Sequence, residues 1–229
     1  MVRQRWVQVR DVQVRYVQVR YGRQYGGTAM ETTVPASSRP GGRRLTPRQQ
    51  ELEDALVALV LAEGFSASTV DDVAARLGCS KRTLYALAAS KEQLALLAVR
   101  EFFRRATAAV EEALAGTRAP GARVTRYLEA VAEQLRAAGP AFRADVAAFA
   151  PAAEIYEQNT AAAAARVREL VDEGIRAGAF RRVPAAFVSE VVTATMRRIT
   201  SGEIGAATGL DDAQAYAELA RLVVAAVSR

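Results

Sequence analysis

Apolar residues recur every three or four positions over most of the chain, as on the buried faces of α-helices. The first such stretch begins at Thr46 and Pro47, which together favour a helix start, and it ends at Gly64. The Ala-rich part beyond residue 121 contains no convincing strand. The predicted helices span 46–63, 70–77, 81–87, 90–115, 121–138, 140–149, 152–177, 184–200 and 211–227. The pattern therefore predicts an all-α fold.

Residues 6–20 depart from this pattern with a tandem pentapeptide, WVQVR-DVQVR-YVQVR. The alternation of valine with polar residues suggests a strand, but an odd repeat length turns the valines of successive repeats to opposite faces. We therefore interpret residues 1–44 as a disordered, low-complexity basic tail, with Met30 as a candidate native start. A basic arm that grips DNA and an aggregation-prone strand are the alternatives.

Two short predicted helices lie close together in TVDDVAARLGCSKRTLYALAASK, from Thr69 to Lys91. Thr69 is a good N-cap for the first helix, Asp72 completes an acidic variant of the capping box, and Gly78 supplies a left-handed residue at its end. Ser80 caps the second helix, so only a three-residue turn separates the two. The sides that would face each other are apolar or small: Val73, Ala74, Leu77, Cys79, Leu84 and Leu87. This spacing predicts a helix-turn-helix that binds DNA, and an ordinary helical hairpin is the alternative.

The outward side of the second helix carries hydrogen-bond donors and a ring. Lys81 and Arg82 suit guanine edges, and Thr83 and Tyr85 offer hydroxyl or apolar contacts, so we predict that these four side chains contact bases. Thr69, Tyr85 and Lys91 are better placed for phosphates, which set register and not sequence. The chain has 31 basic residues, yet only Lys81 and Lys91 are lysines, and both lie in this segment.

The net charge of +6 resembles that of a nucleic-acid-binding protein until it is located along the chain. Residues 1–44 hold nine arginines and two acidic residues, +7, and the remaining 22 basic and 23 acidic residues sum to −1. Attraction to DNA must therefore come from local placement of charge in the folded part.

Composition also argues against other classes of protein. Histidine is absent and Cys79 is the single cysteine, which removes Ser-His and Cys-His pairs, an intrachain disulfide and the usual transition-metal ligands. The acidic residues are dispersed along amphipathic helices, and no glycine-rich phosphate loop follows a strand. We expect no enzyme activity, no cofactor and no metal site. No apolar run reaches the length of a bilayer span or a signal core, so the expected location is cytoplasmic, without membrane contact.

The stretch from residue 46 to about 98 strongly resembles the tetracycline-repressor-like (TetR/AcrR) family of bacterial regulators. The residues that carry the resemblance are Gly64-Phe65, Thr69-Val70, Val73-Ala74, Leu77 to Lys81, Thr83 to Tyr85 and Ser90 to Leu94. Beyond it, only the helix count and GIRAGAFRRV (Gly174 to Val183) look similar. One departure is Ala86-Leu87-Ala88, where the family commonly has further aromatic or histidine positions, and Arg48 or Arg43 is a candidate substitute for the missing phosphate contact.

The resemblance implies an all-α homodimer with a DNA-binding domain at 45–89 and a ligand-binding and dimerisation domain at 90–229. It implies a sequence-specific regulator, expected to be a repressor, that leaves an inverted-repeat operator when a small, mainly apolar effector binds. The alternative is a helical architectural or partner-binding protein without sequence readout. Candidate pocket residues are Phe103, Tyr127, Phe142, Phe149, Tyr156, Phe187 and Met196. Candidate dimer residues lie on the last two predicted helices: Val188, Val191, Val192, Thr195, Ile199, Tyr216, Leu219, Val223 and Val227. Both sets have a second interpretation, which is that they form ordinary core.

Overall fold

The computed structural model describes residues 46–229 and two strands of the N-terminal repeat, β1 (Trp6–Val9) and β2 (Val12–Arg15). The chain divides into two units, Met1–Arg44 and Leu45–Arg229. In the first unit β1 and β2 pair antiparallel, with Val7 opposite Val14 and Val9 opposite Val12. These eight residues are paired strands where we predicted a disordered tail, because antiparallel register aligns valine with valine in spite of the odd repeat length. The predictions for Arg43 and for Met30 as native start lie outside the described residues.

In residues 46–229 every regular element is an α-helix, apart from one isolated bridge between Phe180 and Ser228, and this confirms the predicted all-α fold. In chain order the helices are α1 (Pro47–Glu63), α2 (Val70–Arg76), α3 (Lys81–Tyr85), α4 (Lys91–Ala113), α5 (Pro120–Leu135), α6 (Pro140–Ala148), α7 (Ala150–Arg176), α8 (Ala185–Thr200), α9 (Glu203–Thr208) and α10 (Asp212–Val227).

Nine of these helices lie where periodicity predicts them, and two details differ. Helix α3 ends at Tyr85, two residues earlier than expected, because the Leu87 N–H bonds to the Leu84 carbonyl in a tighter turn. The short helix α9 lies in a stretch that we predicted to be a break. Its flanking residues Gly202 and Gly209 both have a left-handed backbone, so the helix is only about a turn and a half long. It contains no buried residue and therefore leaves no apolar stripe in the sequence.

The buried side chains form two clusters that meet along α4 and α7. One cluster joins α1, α2 and α3 to α4, α6 and the start of α7, and its fully buried members include Leu56, Leu84 and Phe142. The other joins the end of α4 to α5, α7, α8 and α10, with Tyr216 and Val192 at 0% exposure. Because α6 contributes to the first cluster, the three N-terminal helices share their core with the rest of the unit.

The GIRAGAFRRV segment turns the chain sharply between α7 and α8. Gly178 is left-handed after α7, and the N–H groups of Ala179 and Phe180 both bond to the Gly174 carbonyl. The buried Phe180 ring folds back on Gly174, where a Cβ would overlap the ring. Arg181 then bonds through its backbone N–H to the Val227 carbonyl and through its Nε to the Ala226 carbonyl, which fixes the end of α10.

Within the described part of the chain, no helix combines the length and the apolar character that crossing a membrane requires.

Candidate nucleic-acid interface

Three side-chain caps set the geometry of α2, the turn and α3. The Thr69 hydroxyl accepts from the Asp72 N–H at 3.2 Å, and the Asp72 carboxylate accepts from the Thr69 N–H at 2.8 Å, which completes the predicted capping box. The Thr69 hydroxyl also donates to that carboxylate, which lowers the pKa of Asp72. Gly78 is left-handed at φ 59°, and Ser80 accepts from the Thr83 N–H at 3.1 Å. The turn therefore has the predicted chemistry at each position.

The inner face of the motif packs as the sequence predicts. Leu84 is fully buried beneath α3, and Ala74 of α2 is 5% exposed, which allows the two helices to approach closely. The other four inner residues are half-buried against the same core: Val73, Leu77, Cys79 and Leu87. Burying Leu84 turns the rest of α3 outward, so packing decides which face of this helix is available to a ligand.

The four predicted base-contacting residues all lie on the exposed side of α3. Lys81, Arg82 and Thr83 are in its first turn, and Tyr85 is 45% exposed at its end. The Lys81 ammonium lies 2.7 Å from an Asp71 carboxylate oxygen at the start of α2. The Arg82 side chain forms no ion pair or hydrogen bond with any residue that the structure describes, so its five donors face solvent.

The predicted phosphate contacts Arg48, Thr69 and Lys91 have different partners in this structure. Arg48, near the start of α1, is exposed beside Glu51 at 3.3 Å. Thr69 is exposed but its hydroxyl serves the cap of α2. The Lys91 ammonium donates to the Ser66 carbonyl at 2.8 Å, so in this structure it supports the loop between α1 and α2.

That loop has a second support, which no pattern in the sequence predicted. One carboxylate oxygen of Asp145, on α6, accepts from the Phe65 N–H at 2.5 Å and from the Ser66 N–H at 2.7 Å. Burial raises the pKa of Asp145, but the two backbone donors, the Ser66 hydroxyl and the Lys91 charge outweigh it, and the pKa lies below its ordinary value. The available signal was weak: a single acid three residues after Phe142 on an otherwise apolar helix face.

The predicted pocket residues are divided between the two core clusters and the surface. Phe103, Phe142, Phe149 and Tyr156 belong to the first core cluster or pack against it, with the Phe103 and Tyr156 rings edge to face at 5.1 Å. Tyr127 and Met196 are buried in the second cluster, and Phe187 is 68% exposed on α8. A cleft of about 670 Å³ does open between α4, α5 and α10, but alanines and charged residues such as Glu112, Arg126 and Glu133 line it.

The predicted dimer residues divide by exposure. Most are buried inside the unit and serve its core: Val192, Ile199, Tyr216, Leu219, Val223 and Val227. Val191 is 45% exposed, and Val188 and Thr195 are half-buried. The large apolar side chains that do reach the surface of these helices are Phe187 and Val191 on α8 and Leu222 on α10. Phe187 belongs to the predicted pocket set, and Leu222 lies in the apolar stripe of the last predicted helix but not in the predicted dimer set.

Comparison with known proteins relates this motif to one family. Residues 53–99 match the family model described as bacterial regulatory proteins, tetR family. No curated protein matches the chain. The matched range covers α2, α3 and most of α1 together with the first turns of α4, which is the segment whose geometry is described above.

Several solved structures share the fold. A transcriptional regulator from Cytophaga hutchinsonii aligns over 80% of this chain and 100% of its own, with a TM-score of 0.67 and 14% identity. A TetR transcriptional regulator from Chloroflexus aurantiacus covers 80% and 99%, with a TM-score of 0.60 and 24% identity. A transcriptional regulator from Saccharomonospora viridis, solved in complex with choline, covers 80% and 98%, with a TM-score of 0.61 and 15% identity. The predicted resemblance is confirmed: residues 53–99 match the DNA-binding segment of the TetR family, and the helical unit has the same fold as these solved regulators.

Proposed function

We propose that the protein is a homodimeric transcriptional repressor that binds an inverted-repeat operator and is released by a small, mainly apolar ligand. The observation that supports this most directly is the orientation of α3. Its Leu84 is buried and its first turn presents Lys81, Arg82 and Thr83 to solvent. In helix-turn-helix proteins the N-terminal residues of the second helix are the ones that reach base edges in the major groove.

The charges on this face support base readout by Arg82 first. A guanidinium donates two parallel hydrogen bonds to guanine O6 and N7, and Arg82 has no intramolecular partner among the described residues to give up. Lys81 must exchange Asp71 for a base, although an exposed pair of this kind is held by about 1 kcal/mol or less. Tyr85, exposed at the end of α3, extends the same face toward the phosphate backbone of the DNA.

The helices α8 and α10 support a twofold dimer. Each carries large apolar side chains on its surface, Phe187 and Val191 on one and Leu222 on the other, and such residues mark interaction surfaces when they lie together. A dimer with twofold symmetry presents two α3 helices, which would read two half-sites about 34 Å apart or a multiple of that distance.

An apolar ligand is supported by the aromatic residues between α4, α6 and α7. Phe102, Phe103, Phe142 and Tyr156 contact one another through edge-to-face or tilted rings with centroids 4.9 to 6.0 Å apart. The similar regulator from Saccharomonospora viridis binds choline, so this fold accepts small molecules. A ligand that separates these rings would favour a different arrangement of α4 and α6, and it would shift the dimer away from DNA by its differential affinity for the two states.

Selection from a random pool of double-stranded DNA tests the proposal. The purified protein should enrich one inverted repeat, and the dissociation constant for that repeat should be about 10³-fold or more below that for scrambled DNA. Recovery of no motif, with similar affinity for every sequence, would contradict sequence readout and favour an architectural protein. The Arg82→Ala variant is the matched control, since it removes the proposed base contact and leaves the helix caps in place.

A further inference from the structure

The loop between α1 and α2 is held by α6, a helix that lies 80 residues further along the chain. The Asp145 carboxylate accepts hydrogen bonds from two consecutive backbone N–H groups, Phe65 at 2.5 Å and Ser66 at 2.7 Å. An ionised acceptor with two donors at these distances is stronger than a neutral pair. Asp145 therefore fixes the peptide groups that lead directly into Thr69, the cap of α2.

The same loop is also held by α4. The Lys91 ammonium donates to the Ser66 carbonyl at 2.8 Å, while the N–H of Ser66 donates to Asp145. We call these three residues, Ser66, Lys91 and Asp145, the loop clamp. The Asp145 carboxylate belongs to α6, and the Lys91 ammonium belongs to α4. The clamp therefore joins both helices to the peptide segment that precedes α2.

Two glycines allow α6 to approach this closely. Gly64 is left-handed at φ 77°, and a Cβ there would overlap the Asp145 carboxylate. Gly139 precedes α6 and its N–H donates to the Leu61 carbonyl at 2.8 Å, and a Cβ there would lie 2.9 Å from the Ala62 carbonyl oxygen. At the far end of α6, Phe149 contacts the Phe65 ring edge to face at 5.9 Å. The start, middle and end of α6 are thus all attached to the end of α1 and the loop.

We propose that Asp145 is a positioning residue for DNA binding: by holding Phe65 and Ser66, it fixes the orientation of α2 and α3 on the body and so sets the spacing between the two half-sites that a dimer accepts. This inference rests on the proposed function, because it assumes a dimer with two reading helices. This role requires no contact between Asp145 and DNA. It acts through the loop clamp.

The physical consequence concerns operator geometry and not base identity. One base pair inserted between the half-sites moves them about 3.4 Å apart and rotates one relative to the other by roughly 34°. If the two α3 helices of the dimer are held rigidly, they cannot move to match the new spacing, and contacts at one half-site are lost. Reading helices on a loosened loop can follow it in part, at the expense of affinity for the best spacing.

The experiment measures dissociation constants for the selected inverted repeat with zero, one or two base pairs inserted at or deleted from its centre. We expect one inserted base pair to weaken wild-type binding about tenfold or more, and to weaken Asp145→Ala binding about threefold or less. Base preference within each half-site should be unchanged in the variant. Asp145→Asn keeps an acceptor oxygen without the charge, so its spacing profile should lie between the other two.

Asp172→Ala is the matched control, because it also removes a half-buried carboxylate, one on α7 whose partner is Arg168 at 3.8 Å. Its spacing profile should equal that of the wild type. An Asp145→Ala profile that equals the wild-type profile would overturn the role of Asp145 and leave the proposed function intact. If the wild-type protein selects no repeat at all, the proposed function fails, and the role of Asp145 fails with it.

Amide hydrogen exchange separates this role from a general loss of structure. In Asp145→Ala, the N–H groups of Phe65 and Ser66 should exchange at least about tenfold faster, while those in the middle of α1 and α4 keep their wild-type rates. Equal acceleration along α1 would mean that Asp145 only stabilises the fold, which would also overturn the proposal.

Discussion

The basic side chains of the helix-turn-helix differ in the partners that they have within the protein. Arg76 pairs with Glu63, Lys81 lies beside Asp71, and Lys91 donates to the Ser66 carbonyl. Arg82 has no such partner among the described residues. Since the part of the chain after residue 44 carries a net charge of −1, these local differences decide where DNA is attracted. Arg82 is therefore the first residue to test.

Arg82→Ala should relax sequence preference, because it removes the proposed donors to guanine, at a cost of about 1 to 3 kcal/mol for the best site. Lys91→Ala should weaken binding to all sequences alike and reduce the slope of log K against log salt by about one, because the Lys91 ammonium has three donors and can bind a phosphate while it keeps its bond to Ser66. Binding curves for a sequence library at several salt concentrations measure both effects. Uniform loss of affinity in both variants would contradict this division of roles.

Much of the residue-level chemistry follows from local sequence alone. Thr69 with Asp72, the left-handed Gly78 and the Ser80 cap depend on neighbours within three or four positions, and all are found as predicted. Asp145 could not be assigned in the same way, because its partners Phe65 and Ser66 are 80 and 79 residues away. The pairing of Lys81 with Asp71 was missed for a related reason, since it depends on the angle at which α2 and α3 cross.

For whole helices, the periodic apolar stripes predict where each helix lies better than they predict the residues at which it begins and ends. The helix α9, with glycines at both ends and no buried residue, leaves no stripe to detect. The turn after α7 is different, because its glycines have separate functions. Gly178 supplies a left-handed backbone, and Gly174 provides space for the buried Phe180 ring.

Gly174→Ala should destabilise the fold by about 1 to 3 kcal/mol, because the new methyl group overlaps the Phe180 ring and the core must shift to accommodate it. The free energy of unfolding in urea measures this. Gly121→Ala is the matched control, since its Cβ would lie 3.5 Å from Val224 in ordinary contact and alanine suits a helix better. A destabilisation equal in the two variants would show that the Phe180 contact is not the cause.

At the scale of the molecule, the two core clusters explain why several predicted interface residues are unavailable. Tyr216, Val192 and Val223 face inward because α8 and α10 must first cover α5 and α7. The surface left for a partner carries Phe187, Val191 and Leu222. The proposed dimer face is therefore narrower than the apolar stripes suggest, and it includes Phe187 and Leu222, which the predicted dimer set does not contain.

Leu222→Glu combined with Phe187→Glu should convert the proposed dimer to a monomer, because the charges would be buried without partners at its centre. Light scattering after size-exclusion chromatography measures the mass. Tyr85→Glu is the control: it places a charge at another exposed ring, on α3, and should abolish DNA binding while the dimer persists. A dimer that survives the double substitution would move the interface away from α8 and α10.

Local sequence is sufficient to predict the helices, the caps and the turn of the DNA-binding motif, because each depends on residues within one or two helical turns of one another. Which apolar stripes become core and which stay exposed depends on tertiary packing, because burial requires another element to cover each face. The contact between Asp145 and the loop before α2 likewise depends on tertiary packing. A carboxylate and two peptide groups from distant parts of the chain meet there only once α6 has packed on α1.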